Sequence, residues 1–200
     1  MPGCWARIYG SRAPECILKV SNKFMKTLNF DIQQIESIAD GLWTVGNVFG
    51  ADDFSYIEST VKAIPIDQYT SGIDNRYELI WQNDGVLEEL TNAFRAIEDQ
   101  VSKITNLDLS FNQVRVWRDT PGFLIPFHED DQQATVHIQT YIHGEVGTTW
   151  YTPTGRTTVP FLPNSGYITQ CSKRYPHGSL TATTVDRFSL YATFNQKPLA

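Results

Sequence analysis

From about Phe111 onward the chain alternates with a period of two, and this alternation constrains the fold more than any other feature. Successive side chains of a strand point to opposite faces. In Gln113–Trp117, Gln113, Arg115 and Trp117 share one face, while Val114 and Val116 occupy the other. In residues 135–142, Thr135, His137, Gln139 and Tyr141 oppose Val136, Ile138, Thr140 and Ile142. In residues 187–194, Arg187, Ser189, Tyr191 and Thr193 oppose Phe188, Leu190, Ala192 and Phe194. Each predicted strand has one apolar face and one face of hydrogen-bonding side chains. Two architectures satisfy this pattern. A sheet packed on helices can turn its polar face to water, or a curved sandwich or barrel can close the polar faces around a ligand cavity.

Before residue 111 the spacing is helical. Phe54, Ile57, Val61 and Ile64 predict a helix with Asp52 or Asp53 as its cap and Pro65 as its stop. After Asn83-Asp84-Gly85, the stripe Leu87, Leu90, Phe94, Ile97, Val101 and Ile104 predicts one continuous helix, packed on the apolar sheet face that includes Ile138 and Leu190. Residues 31–40 read as a further short helix. No repeat or linker separates the halves. The expectation is therefore one domain over 1–200, with 1–110 largely helical support and 111–196 the β core. Hydrophobic residues at 41% supply a core and argue against a disordered chain.

Several function classes are disfavoured. No run approaches the roughly 20 apolar residues of a membrane span, and the N-terminus lacks the apolar stretch of a signal peptide. Three scattered cysteines, Cys4, Cys16 and Cys171, do not make a disulfide framework. A cytoplasmic location is expected. Net charge is −6, arranged as +4 over residues 1–30, −11 over 31–108 and +1 over 109–200. No basic stripe runs along the chain, so duplex nucleic acid is disfavoured as a main partner.

All four histidines lie in the strand-rich part. The segment FHED sets His128 and Asp130 two apart, so an extended backbone points both the same way, and His177 follows 47 residues after Asp130. Two imidazoles and one carboxylate suit a facial triad on iron(II) with open positions. Taken alone, an H-x-D pair is more often a solvated surface pair. His143, beside Gly144, reads as a turn histidine, whereas His137 shares the polar face of Gln139 and Tyr141. The Lys173-Arg174 pair reads as a solvated face or as the border of a site for an anionic substrate.

Arg187 stands ten residues past His177 and opens the sequence R-F-S. Over residues 111–194 the chain resembles the 2-oxoglutarate- and iron(II)-dependent dioxygenases, and VRVWRDTPGFLIPFHED, TYIHG and YPHGSL resemble their prolyl-4-hydroxylase-like branch. The resemblance implies a double-stranded β-helix, or jelly roll, with helices packed on the major sheet. It implies that His128, Asp130 and His177 ligate iron(II), and that Arg187, with Ser189 and Tyr141, holds the distal carboxylate of 2-oxoglutarate. Where the branch often carries Tyr, this chain has Trp117, which cannot accept a hydrogen bond. Gln113, Arg115 or Gln139 are the candidates to replace that contact. O2 is the further cosubstrate, with ascorbate as an accessory reductant. Halogenases of the family lack the carboxylate ligand, so Asp130 points to hydroxylation. The substrate implied first is a prolyl or other residue of a peptide or protein. A free amino acid or small metabolite is the alternative, and a non-catalytic metal-binding jelly roll is a third reading.

Overall fold

The helices and strands of the described residues follow one another in chain order. They are β1 (Gln34–Ala39) and β2 (Leu42–Gly46); α1 (Ala51–Ala63) and β3 (Thr70–Ser71); β4 (Arg76–Leu79) and α2 (Val86–Ala96); α3 (Glu98–Thr105) and β5 (Leu109–Asp119); β6 (Val136–His143) and β7 (Thr148–Thr152). Then come β8 (Gly155–Val159), β9 (Ser165–Gln170), β10 (His177–Gly178) and β11 (Arg187–Gln196). This computed structural model describes residues 26–72, 74–79, 85–130 and 134–198. The basic N-terminal segment up to residue 25, with Cys4 and Cys16, lies outside the described residues.

Eight strands make one sheet in the order β1-β2-β9-β6-β11-β5-β4-β3, and a second sheet runs β10-β7-β8. Every pairing is antiparallel. β11 sits at the centre between β5 and β6, which brings the three strands read from the sequence side by side. Their apolar faces point one way. Val114, Val116, Val136, Ile138, Leu190 and Phe194 join Leu87, Leu90, Phe94, Ile97 and Val101 of the helical stripe in one core. A smaller apolar cluster of Leu42, Tyr141, Trp150, Val159, Phe161 and Tyr167 lies on the other side and joins the two sheets. The polar faces are thus enclosed between sheets, as the second of the two architectures requires.

Three local expectations need correction. Residues 34–39 are strand β1, not helix, and β1 to β4 extend the major sheet, so the N-terminal part is only partly helical. The helical stripe is carried by two helices, because Ile97 (φ −96°, ψ 7°) interrupts the ladder between α2 and α3. Neither Asp52 nor Asp53 caps α1, whose N-cap is Gly50. Asp53 instead accepts a bond from the Asn29 N–H at 2.9 Å and pairs with Lys26 at 2.8 Å. The stop is as expected: Ile64 before Pro65 is extended, as the proline ring requires of its predecessor. Among the described residues, no helix is long and apolar enough to cross a membrane.

Candidate metal and cosubstrate site

His128 and His177 are brought together by backbone pairing. Each donates its N–H to the other's carbonyl, at 2.9 and 2.8 Å, which adds the 125–128 segment beside β10. Gly178 permits that approach, since a Cβ there would stand 2.8 Å from the Ile125 carbonyl oxygen. Asp130 follows on the same extended segment. Its Oδ1 lies 3.9 Å from His128 Nε2 and 3.6 Å from His177 Nε2, and the three ligand atoms fall within 4.8 Å of one another.

The protonation states suit ligation. His128 Nδ1 faces the Pro126 carbonyl at 2.8 Å and His177 Nδ1 faces the Tyr175 carbonyl at 3.1 Å. A carbonyl can only accept, so in each neutral ring the proton sits on Nδ1 and the Nε2 lone pair faces Asp130. Burial lowers the His177 pKa, against the pull of Asp130, and favours the neutral ring. Burial pushes Asp130 up, but the His137 hydrogen bond and the neighbouring histidines outweigh it and leave the carboxyl below its ordinary value. Trp150, buried and stacked on the His177 ring (4.0 Å between centroids, 18° between planes), fixes the ring orientation.

These three side chains border a cavity of about 560 Å³ lined by the polar faces of β5, β6 and β11. Gln113, Trp117 and Gln139 all line it. Arg187, buried, also lines it, donating from Nε to the Val146 carbonyl at 3.0 Å and from Nη1 to the Asp119 carboxylate. Ser189, next on the same face, is buried, and its Oγ has no hydrogen-bond partner among the described residues. Tyr141, in register with Ser189, lies with its ring 5.7 Å below the Arg187 guanidinium and donates its hydroxyl to Thr148 Oγ1 at 2.9 Å. Burial pushes its pKa up, so the phenol remains a donor. The arrangement fits a metal-bound dicarboxylate: two imidazoles with free Nε2 atoms, an ionised carboxylate, a buried arginine and a buried hydroxyl without a partner.

The structure adds partners that the spacing did not reveal. His137 is buried, with Nδ1 3.2 Å from Asp130 Oδ2, and the Tyr191 hydroxyl lies against the same ring, 3.0 Å from Nε2. Asp130, His137 and buried Cys171 form a second grouping of ligand-type atoms within 4.8 Å. The polar-face pattern pointed to His137 but not to its contact with Asp130. His143 faces outward, between Glu58 (3.1 Å) and Lys62 (3.4 Å) of α1. Lys173 pairs with Asp40 at 2.5 Å, and Arg174 pairs at 2.9 Å with Glu129, which lines the cavity.

No family model matches the sequence, and no curated protein matches it. Solved structures do match in fold. A prolyl-4-hydroxylase from Pseudomonas putida superposes with a TM-score of 0.65 at 15% identity, covering 80% of this chain and 94% of that one. A prolyl hydroxylase from Trichoplax adhaerens, solved with a hypoxia inducible factor peptide fragment, gives 0.62 at 8% identity over 79% and 84%. HygX from Streptomyces hygroscopicus, solved with nickel, 2-oxoglutarate and hygromycin B, gives 0.61 at 10% identity over 79% and 84%. The chain therefore has the double-stranded β-helix fold of the 2-oxoglutarate and iron(II) oxygenases, as its sequence resemblance led us to expect.

Proposed function

We propose that this protein is an iron(II)- and 2-oxoglutarate-dependent oxygenase that hydroxylates a C–H bond. The observation that carries the reading is the joining of two features in one cavity. His128, Asp130 and His177 line the cavity together with buried Arg187, and buried Ser189 stands two residues from Arg187 on the same face of β11. A metal-binding jelly roll without catalysis has no use for a buried arginine beside an unpaired hydroxyl.

When bound, iron(II), 2-oxoglutarate and O2 supply the oxidising chemistry, leaving succinate and CO2 as co-products. The chain's own residues hold and orient. His128 and His177 offer Nε2 because carbonyls occupy Nδ1, and Asp130 offers Oδ1 while His137 holds Oδ2. The Arg187 guanidinium would answer the distal carboxylate, for which its planar donor fork is suited, and the buried, unpaired Ser189 Oγ would donate to the same group. Sheet closure keeps this end of the cavity dry, where charge-assisted bonds are strongest.

The preferred substrate is a prolyl or other residue of a peptide or protein. The prolyl hydroxylases among the fold neighbours support this choice. HygX, solved with hygromycin B, keeps a small-molecule substrate in view. The test is succinate formation from 2-oxoglutarate with iron(II) and ascorbate, followed by a screen of peptides and metabolites for the mass gain of one oxygen. Substrate-dependent succinate is expected from wild type and not from His177→Ala. Absence of both 2-oxoglutarate binding and turnover in the metal-loaded wild type would overturn the reading.

A further inference from the structure

Arg187 does not stand alone in its pocket. Asp119, wholly buried, is the register partner of Arg187 on one side and of Arg76 on the other, so strands β4, β5 and β11 set an arginine, an aspartate and an arginine in one row. Arg76 donates from Nε to Asp119 Oδ1 at 2.6 Å and from Nη2 to Oδ2 at 3.0 Å, and Arg187 donates from Nη1 to Oδ2. The Arg76 guanidinium is held between the rings of Trp117 (4.6 Å) and Phe123 (4.5 Å) and lines the same cavity as Arg187.

The charge count decides what this row can do. Asp119 paired with Arg187 alone would be a neutral pair, with little left to attract an anion into a buried site. With Arg76 present the row carries a net charge of +1. The other described ionised side chains lining the cavity away from the metal ligands are compensated locally, Arg115 by Glu78 at 2.7 Å and Glu129 by Arg174 at 2.9 Å.

We infer that Arg76, acting through Asp119, is a positioning residue that gives the Arg187 pocket its net positive charge and hence its preference for a 2-oxo acid with a distal carboxylate. The inference rests on the proposed 2-oxoglutarate site and adds to it a determinant from β4, outside the residues that carry the family resemblance. It is a statement about charge balance, so it makes a sharp demand. Removing Arg76 should weaken the dicarboxylate, and removing the Asp119 charge as well should restore it.

The experiment is calorimetric titration of the manganese(II)-loaded protein with 2-oxoglutarate and with 2-oxobutanoate, which has the same oxo-acid head and no distal carboxylate. Arg76→Gln should weaken 2-oxoglutarate by about tenfold or more, while 2-oxobutanoate changes by less than about threefold. Arg76→Gln with Asp119→Asn should return 2-oxoglutarate to within about threefold of wild type. Arg76→Lys, which keeps the charge, should stay close to wild type. The inference is overturned if Arg76→Gln leaves 2-oxoglutarate binding unchanged, weakens both ligands equally, or is not rescued by the second substitution. Should Arg76→Gln fail to fold, Asp119→Asn alone still decides, since charge balance requires 2-oxoglutarate to bind at least as tightly, and weaker binding refutes it. Arg187→Ala separates the two levels of argument. If it binds 2-oxoglutarate like wild type, the proposed site itself is wrong. If it loses binding while Arg76→Gln does not, only the role of Arg76 falls.

Discussion

Ser189→Ala should change sign with the ligand. Ser189 lies on the central strand, between Trp117 and Tyr141 in register, fully buried and with its Oγ unpaired among the described residues. Leaving a buried hydroxyl without a partner costs about 1–3 kcal/mol. Alanine removes that cost and leaves a void of one oxygen atom, which returns part of it. The ligand-free variant should therefore match wild type or exceed it by up to about 1 kcal/mol, a rise of roughly 2–4 °C in Tm for a chain of this size. With 2-oxoglutarate the balance reverses. The hydroxyl then donates to a carboxylate, and losing such a bond costs about 1.5–3 kcal/mol, or roughly 10- to 150-fold in affinity. Thermal unfolding of the manganese(II)-loaded protein with and without 2-oxoglutarate, paired with calorimetry, reads both signs. A variant that is destabilised by more than about 1 kcal/mol without ligand, yet binds 2-oxoglutarate like wild type, would show that the hydroxyl serves the fold and not the ligand.

Metal binding by the proposed ligand His177 should depend on the ring beneath it. Trp150→Phe keeps an aromatic stack and should bind manganese(II) nearly as wild type, whereas Trp150→Leu should lose about 10- to 100-fold, the usual cost of disturbing a ligand's support; equal affinities for the two variants would refute the orienting role. Asp53 gives a pH-dependent prediction at a site remote from chemistry. Burial raises its pKa, but the Lys26 pair and the Asn29 N–H bring it below the ordinary 3.8. A lowered folded value means stability that is present above the unfolded pKa and lost as pH falls through the folded one. Asp53→Asn should thus unfold at lower urea than wild type at pH 7, and the gap should close below about pH 4; a gap that stays constant into acid would refute the ion pair's contribution.

The parts of the fold legible in the sequence are those where burial writes a period. β5, β6 and β11 are central strands with a helix-covered face, so apolar residues recur every second position and fix the parity that puts Arg187 and Tyr141 inside. β1 is an edge strand with four of its six residues exposed, and its isoleucines do not report a buried face. Ile32, Ile35 and Ile38 fall three apart and imitate a helix, although Ile35 is 45% exposed. The interruption at Ile97 is invisible for the opposite reason. The residue is buried on both readings, and its spacing is the same whether one helix or two carry it.

The site divides along similar lines. The grouping of His128, Asp130 and His177 is legible because a backbone rule, two residues apart on an extended segment, does half of the placing, and the second histidine arrives on the strand beside it. The contacts that tune the site run across strands, where sequence distance carries no information. Arg76 reaches Asp119 over 43 residues and Arg187 reaches the same carboxylate over 68. Arg76 sits on a four-residue strand whose own pattern marks no buried face, so nothing local distinguishes it from a solvated arginine. What could have raised the question is Asp119 itself. It ends a strand bound for a closed interior, and an aspartate buried there must find cations, since an uncompensated buried carboxylate costs several kcal/mol. Arg187 is one such cation. A carboxylate fully satisfied by the cosubstrate's own anchor would defeat the anchor, so the presence of Asp119 next to Arg187 demands a second cation from elsewhere in the chain, and β4 supplies it.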